Sequence, residues 1–292
     1  MLQGRCAPNL RPAQQKSYSL GIRRAMTSRP LLVAIAIALT GCSSDLEPGS
    51  YPGDARGMNW TRAEGEHVVL YDFRESPALA VFDRIIGDLR AEIATRMGVD
   101  DAMAKPELFL VLNREDLRRV TGMEAAGVAL SQHNALVVAD RRNRPNRLLI
   151  RHELTHLMAA ALLPAVDEPI PWVSEGLATW TTPECAGHSH RAFGVALLEA
   201  DLLPTRAQLE GDFYALGDVY SYSAAASLVD FAVESWGRDS IPVLWQESLA
   251  GLEEWSGVAD AYSAWIAYLG ETPAKARTLD DLAAVTTCAA DT

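Results

Sequence analysis

The stretch Leu148–Ala160, LLIRHELTHLMAA, sets two histidines and a glutamate inside five residues of an otherwise apolar run. Leu148, Leu149, Leu154, Leu157, Met158 and Ala161 cover the remaining faces at helical spacing, so the sequence predicts a buried helix. Polar groups in such a helix are costly unless they are paired or coordinated. Residues four apart lie on one helix face, about 6 Å apart along the axis. His152 and His156 can therefore aim both imidazoles at a single point. Two neutral imidazoles at that spacing make half of a zinc site, and Glu153, one residue round, can reach a water on the metal without ligating it. This is the HExxH arrangement, in which the glutamate serves as general base.

A hydrolytic zinc site takes three protein ligands and leaves its fourth position open. The extended pattern HExxHxxGxxH is excluded, because Ala159 and Leu162 stand where glycine and histidine would be. Downstream, Pro171–Trp180 (PWVSEGLATW) opens a second helix with Pro and Trp and carries Glu175 in its first turn, with eighteen residues between His156 and Glu175. HExxH-x18-E, followed by the W-x-x-E-G-x-A block from Trp172 to Ala178, resembles the peptidase MA-like gluzincins, which are related to the aminopeptidase N family. The resemblance runs from Ala126 to about Leu249. It implies a zincin-like α+β fold, one Zn2+ per chain on His152, His156 and Glu175, Glu153 as catalytic base, and a peptide or protein substrate. It also implies a tyrosine that opens a later helix and donates its hydroxyl to the oxyanion. In YSYSAAASLVDFAVESWG (Tyr220–Gly237) that residue is Tyr222, with Tyr220 as the fallback and a core or capping role as the structural alternative.

The chain departs from the family pattern in two places. Aminopeptidases of the family anchor the substrate amine on a GxMEN segment, whereas TGMEAAGVAL (Thr121–Leu130) keeps Gly122, Met123 and Glu124 but no asparagine. An endopeptidase is therefore expected ahead of an exopeptidase, with an extended peptide added along NALVVAD (Asn134–Asp140). Thermolysin-like relatives place an aspartate one turn beyond the glutamate ligand; here that position is Thr179. Asp167 and Glu168 in a Pro-rich loop, and His188 and His190 on a Gly-containing loop, are expected to be solvated.

The amino terminus has a different character. Residues 1–41 hold six basic residues and no acidic one, and a short apolar run, Leu31–Leu39, follows Met26. Nine residues are too few to span a bilayer, which needs about 20, so the run is expected to be a signal-peptide core, with Met26 a more usual start than Met1. LTGC, ending at Cys42, resembles the bacterial lipobox and implies lipidation of Cys42. That places the protein in the bacterial cell envelope, on the outer membrane ahead of the inner, with its body in the periplasm or outside. Ser43–Gly57 is rich in Gly, Pro and Ser and reads, with Cys42, as a flexible tether (42–57). Residues 58–292 are expected to form the metallopeptidase domain that the resemblance implies, with a sheet-containing lobe to about residue 145 and a helical lobe from about 146.

Without residues 1–41, 20 Lys and Arg remain against 38 Asp and Glu, a formal charge of −18 compared with −12 for the whole chain. Nucleic acid is excluded as a partner, since phosphate backbones are held by clustered cations. With Cys6 in the leader and Cys42 lipidated, Cys185 and Cys288 remain, as one disulfide or as two free thiols. Strands are expected at HVVLYDF, ELFLVLN and on both sides of Gln132–Asn134. Helices are expected from about Ser76 to Met97, in REDLRRVTG up to Gly122, and throughout the chain beyond: an α+β protein with a small mixed or antiparallel sheet ahead of the helices. The competing functional expectations are a catalytically inactive zinc-binding envelope scaffold, and a structural lipoprotein whose HExxH is accidental.

Overall fold

Alternating apolar residues in the first half of the chain build a five-stranded sheet in the order β1-β2-β3-β5-β4. The strands are β1 (Thr61–Glu64), β2 (Val69–Asp72), β3 (Glu107–Val111), β4 (Gly127–Leu130) and β5 (Ala135–Ala139). The outer pairs β1/β2 and β4/β5 are antiparallel, and β2/β3 and β3/β5 are parallel, so the sheet is mixed. The computed structural model describes residues 50–55, 58–73, 78–139, 145–182 and 188–271. The leader, the lipidation site Cys42 and both halves of the expected disulfide, Cys185 and Cys288, lie outside the described residues.

Strand side chains alternate between faces, and both faces of this sheet are covered. Leu108 and Leu110 of β3, with Leu136 and Val138 of β5, join the main core shared with the helices. Phe109 and Val111, with Ala135 and Val137, form a second core under Leu117 and Val120. This second face corrects the expected tether. Tyr51 packs its ring edge-on against Phe109 with centroids 5.7 Å apart, its hydroxyl donates to Glu107 Oε2 at 2.7 Å, and Ala55 is buried. A sheet face of Phe and Val needs an apolar cover, and Tyr51, Ala55 and Trp60 supply it. Strand β1 was not expected either. Its sequence, TRAE, is half exposed at an edge and carries no apolar signal.

The nine α-helices among the described residues are α1 (Leu79–Met97), α2 (Arg114–Thr121), α3 (Arg147–Leu162), α4 (Pro171–Trp180), α5 (His190–Glu199), α6 (Arg206–Gly211), α7 (Asp218–Trp236), α8 (Ser240–Ser256) and α9 (Ala261–Gly270). Helix α2 stops where expected, at Gly122 in the left-handed conformation (φ 73°), which a glycine adopts without a Cβ clash. Asn146 starts α3 by accepting a hydrogen bond from the Leu149 amide at 3.1 Å. Pro171 opens α4 at a position where its missing N–H costs nothing. Described strands all precede residue 140, and the described chain from Arg147 onward is helical wherever it is regular, so the fold is α+β. One continuous core runs from Val68 to Leu269, so the two expected lobes form one body. No helix among the described residues is long and apolar enough to cross a membrane.

Candidate metal centre

Helix α3 presents His152 and His156 on one face, and the second turn of α4, rather than the expected first, brings Glu175 to them. His152 Nε2 lies 3.0 Å from Glu175 Oε2 and 3.2 Å from His156 Nε2, and His156 Nε2 lies 3.5 Å from the same carboxylate oxygen. Donors bound tetrahedrally to zinc at about 2.0–2.1 Å stand about 3.3 Å apart, so the three edges of this triangle have the size that ion requires. Two imidazole nitrogens and a carboxylate oxygen also form a donor set of the zinc type. Among the described residues this is the only His, Cys, Asp and Glu cluster of metal-binding dimensions.

The surroundings orient these donors. Ser174, directly before Glu175, meets His156 Nδ1 at 3.0 Å and leaves Nε2 to face the cluster. Tyr214, on the turn Phe213–Leu216, donates to Glu175 Oε1 at 3.1 Å and leaves Oε2 to the histidines. The ring of Tyr222 lies parallel to the His152 imidazole, with centroids 5.8 Å apart and an 8° tilt, and Phe213 stacks on Tyr222 at 5.9 Å. Tyr222 sits in the second turn of α7 rather than at its start, and it reaches the cluster because α7 packs tightly on α4. A Cβ on Gly176 would stand 2.9 Å from the Ala225 backbone carbon and oxygen, so only glycine permits this approach. Tyr220 is 37% exposed, and no ring stacking ties it to the histidines.

Glu153 is not one of the three clustered donors and is 8% exposed. Burial raises its carboxyl above the ordinary carboxylate range and Glu175 adds to this, while His152, His156 and a hydrogen bond from the Ala129 backbone pull the other way. Burial would likewise raise Glu175, but the two histidines outweigh it and hold that carboxylate strongly depressed. Burial would lower the His156 imidazole, yet the charge of Glu175 and its hydrogen bond raise it overall.

The strand beside this site is β4, which corrects the expected peptide edge at Asn134–Asp140. Strand β5 is paired on both sides, to β3 and to β4, and has no edge to offer. The Ala139 amide donates to the Ala126 carbonyl, so Ala126 and its alternate neighbours in β4 face β5. Gly127 and Ala129 therefore turn their backbone groups outward. Gly127 also lies against the catalytic candidate: a Cβ there would be 2.9 Å from Glu153 Cγ and Oε1.

Other sequence candidates end elsewhere. Thr179 does not support a ligand; its Oγ1 is buried with no partner among the described residues. Asp167 and Glu168 are exposed, as expected of loop acids. His190 is not solvated. It is 3% exposed, at the first position of α5, with Nε2 2.6 Å from the Thr182 carbonyl. Tyr214, Ser174 and the β4 edge were missed. Neither protein-family models nor curated proteins give a match to this chain.

Proposed function

We propose that this protein is a zinc-dependent peptide hydrolase of the gluzincin type, with a zincin-like arrangement of sheet and helices, held in a bacterial envelope by lipid on Cys42. The observation that carries this reading is the triangle of His152, His156 and Glu175, whose edges of 3.0, 3.2 and 3.5 Å suit a tetrahedral ion, with a buried carboxyl on the adjoining residue. Zinc on those three side chains would supply Lewis acidity, polarising the scissile carbonyl and acidifying a water.

The remaining steps belong to the chain. Glu153, raised by burial, accepts a proton from the attacking water and delivers it to the leaving amine. Tyr222, stacked beside His152, is the candidate donor to the oxyanion, a contribution worth several kcal/mol when preorganised. An extended substrate pairs with the outward groups of Gly127 and with the Ala129 carbonyl on β4, the Ala129 amide being engaged by Glu153.

The test is metal analysis of the purified full chain, together with digestion of a peptide library read by mass spectrometry. About one equivalent of zinc and cleavage that Glu153→Gln abolishes while zinc is retained are expected. Zinc-free protein after gentle purification, or cleavage that persists in Glu153→Gln, overturns the proposal. For the anchor, Cys42→Ala should move the protein from the membrane to the soluble fraction.

A further inference from the structure

A second, shallow concavity lies near the far ends of α1 and α4. It has a volume of about 490 Å3, and Glu92, Thr95, Arg96, Arg151, Thr181 and Arg238 line it. Three arginines around one cleft are unexpected in a chain with a formal charge of −12. One of them is spent: buried Arg151 donates to Glu92 Oε2 and, at 3.1 Å, to the Thr181 carbonyl. Glu92 is spent with it, since its Oε1 also accepts from Arg147 at 2.7 Å.

The other two guanidinium groups are positioned without a close ion pair, Asp230 acting on Arg96 from further away. Arg96 donates through Nε to the Trp180 carbonyl at 2.8 Å and lies 4.4 Å over the Trp180 ring, which fixes its plane. Arg238 lays its alkyl stem on Gly98, where a Cβ would come within 2.7 Å of Arg238 Cδ. Among the described residues, neither guanidinium has a carboxylate within 4.0 Å. Burial depresses the Arg96 guanidinium, Asp230 acts against this, and Arg238 depresses it further, as expected for two cations facing one another. A guanidinium held on its Nε side keeps its terminal amino groups for a planar or tetrahedral oxyanion.

We propose that this cleft is an anion site for a phosphate group, gripped by Arg96 and Arg238 with the Thr95 hydroxyl alongside. An anion there closes a charge-assisted network across α1, the end of α4 and the α7–α8 turn. The source of the phosphate is either the free ion or a monoester headgroup.

Calorimetric titration of the purified full chain tests this, in chelator so that no metal contributes and with ionic strength held by chloride. Inorganic phosphate and glycerol phosphate are titrated separately, and the tighter of the two identifies the source. Saturable one-to-one binding is expected, weakened at least about tenfold by Arg238→Gln and by Arg96→Gln, as for loss of one charged hydrogen-bond partner. Arg238 is exposed, so its variant should keep the parent's thermal melt. Absence of saturable heat with both probes overturns the proposal, as does binding that both variants retain unchanged. Because chelator is present, either result stands apart from the fate of the zinc proposal.

Discussion

Tyr214 donates its hydroxyl hydrogen to Glu175 Oε1 at 3.1 Å, while the other oxygen of the same carboxylate faces His152 at 3.0 Å. The tyrosine thus divides the carboxylate, holding one oxygen so that the other is presented to a metal. Partners of this kind are worth about 10–100-fold in metal affinity. Tyr214→Phe should weaken zinc binding by that factor in a chelator competition. Since Tyr214 is 54% exposed, its thermal melt without metal should shift little. Unchanged affinity would reduce the contact to an incidental one.

Gly176 follows the candidate ligand Glu175 and lies against Ala225 of α7. Alanine there would gain about 1 kcal/mol of helix propensity. Its Cβ, however, would lie 2.9 Å from backbone atoms of Ala225 and 3.0 Å from the Ala225 Cβ, and backbone cannot swing aside. Overpacking of this kind costs about 1–3 kcal/mol and should push Tyr222 off His152. Gly176→Ala is expected to lower the thermal midpoint and to reduce peptide hydrolysis. A raised midpoint would show that α7 yields at no cost.

How much of this was readable in advance depends on how local each signal is. His152, Glu153 and His156 were legible because helical spacing alone sets their relation, and Glu175 because Pro171 announces the start of a helix. Gly122 ends α2 as a left-handed glycine should. Tyr214 gave no signal, since it lies on a short irregular turn with no periodicity. Ser174 could have been suspected from its place beside Glu175, but its reach to His156 depends on how α4 docks on α3. The free edge at β4 was hidden because a hairpin sequence does not say which arm pairs with a third strand. His190 misled through Gly187 three positions earlier, although Ser189 accepting from the Ala192 amide marks a helix start.

Gly127 leaves room for Glu153. An alanine Cβ at this position would come within 2.9 Å of Glu153 Cγ, Glu153 Oε1 and Leu149 Cδ1. These are side-chain atoms that can move, so the fold should survive and the carboxyl should be displaced. Misplacing a catalytic group by about 1 Å can cost 100-fold in rate. Gly127→Ala should therefore retain its zinc and lose about 10–100-fold in kcat, with a smaller change in KM. Equal activity in parent and variant would remove Glu153 from the chemistry.

Metal binding here should also be linked to pH in a definite direction. Glu175 keeps the metal-free His156 imidazole protonated above the ordinary value of about 6.5, and zinc accepts only the neutral ring. Above the raised value no proton has to leave, and affinity is flat. As pH falls through it, each zinc ion displaces one proton from His156 and affinity drops by about tenfold per pH unit. In Glu175→Gln the largest raising charge is gone, leaving burial, which lowers the imidazole, opposed only by Glu153. Overall affinity should fall because a ligand is weakened, but the onset of the pH-dependent loss should move to lower pH. Zinc affinities measured by chelator competition across the weakly acidic range give both quantities. An onset that stays in place in Glu175→Gln would show that His156 does not carry the competing proton.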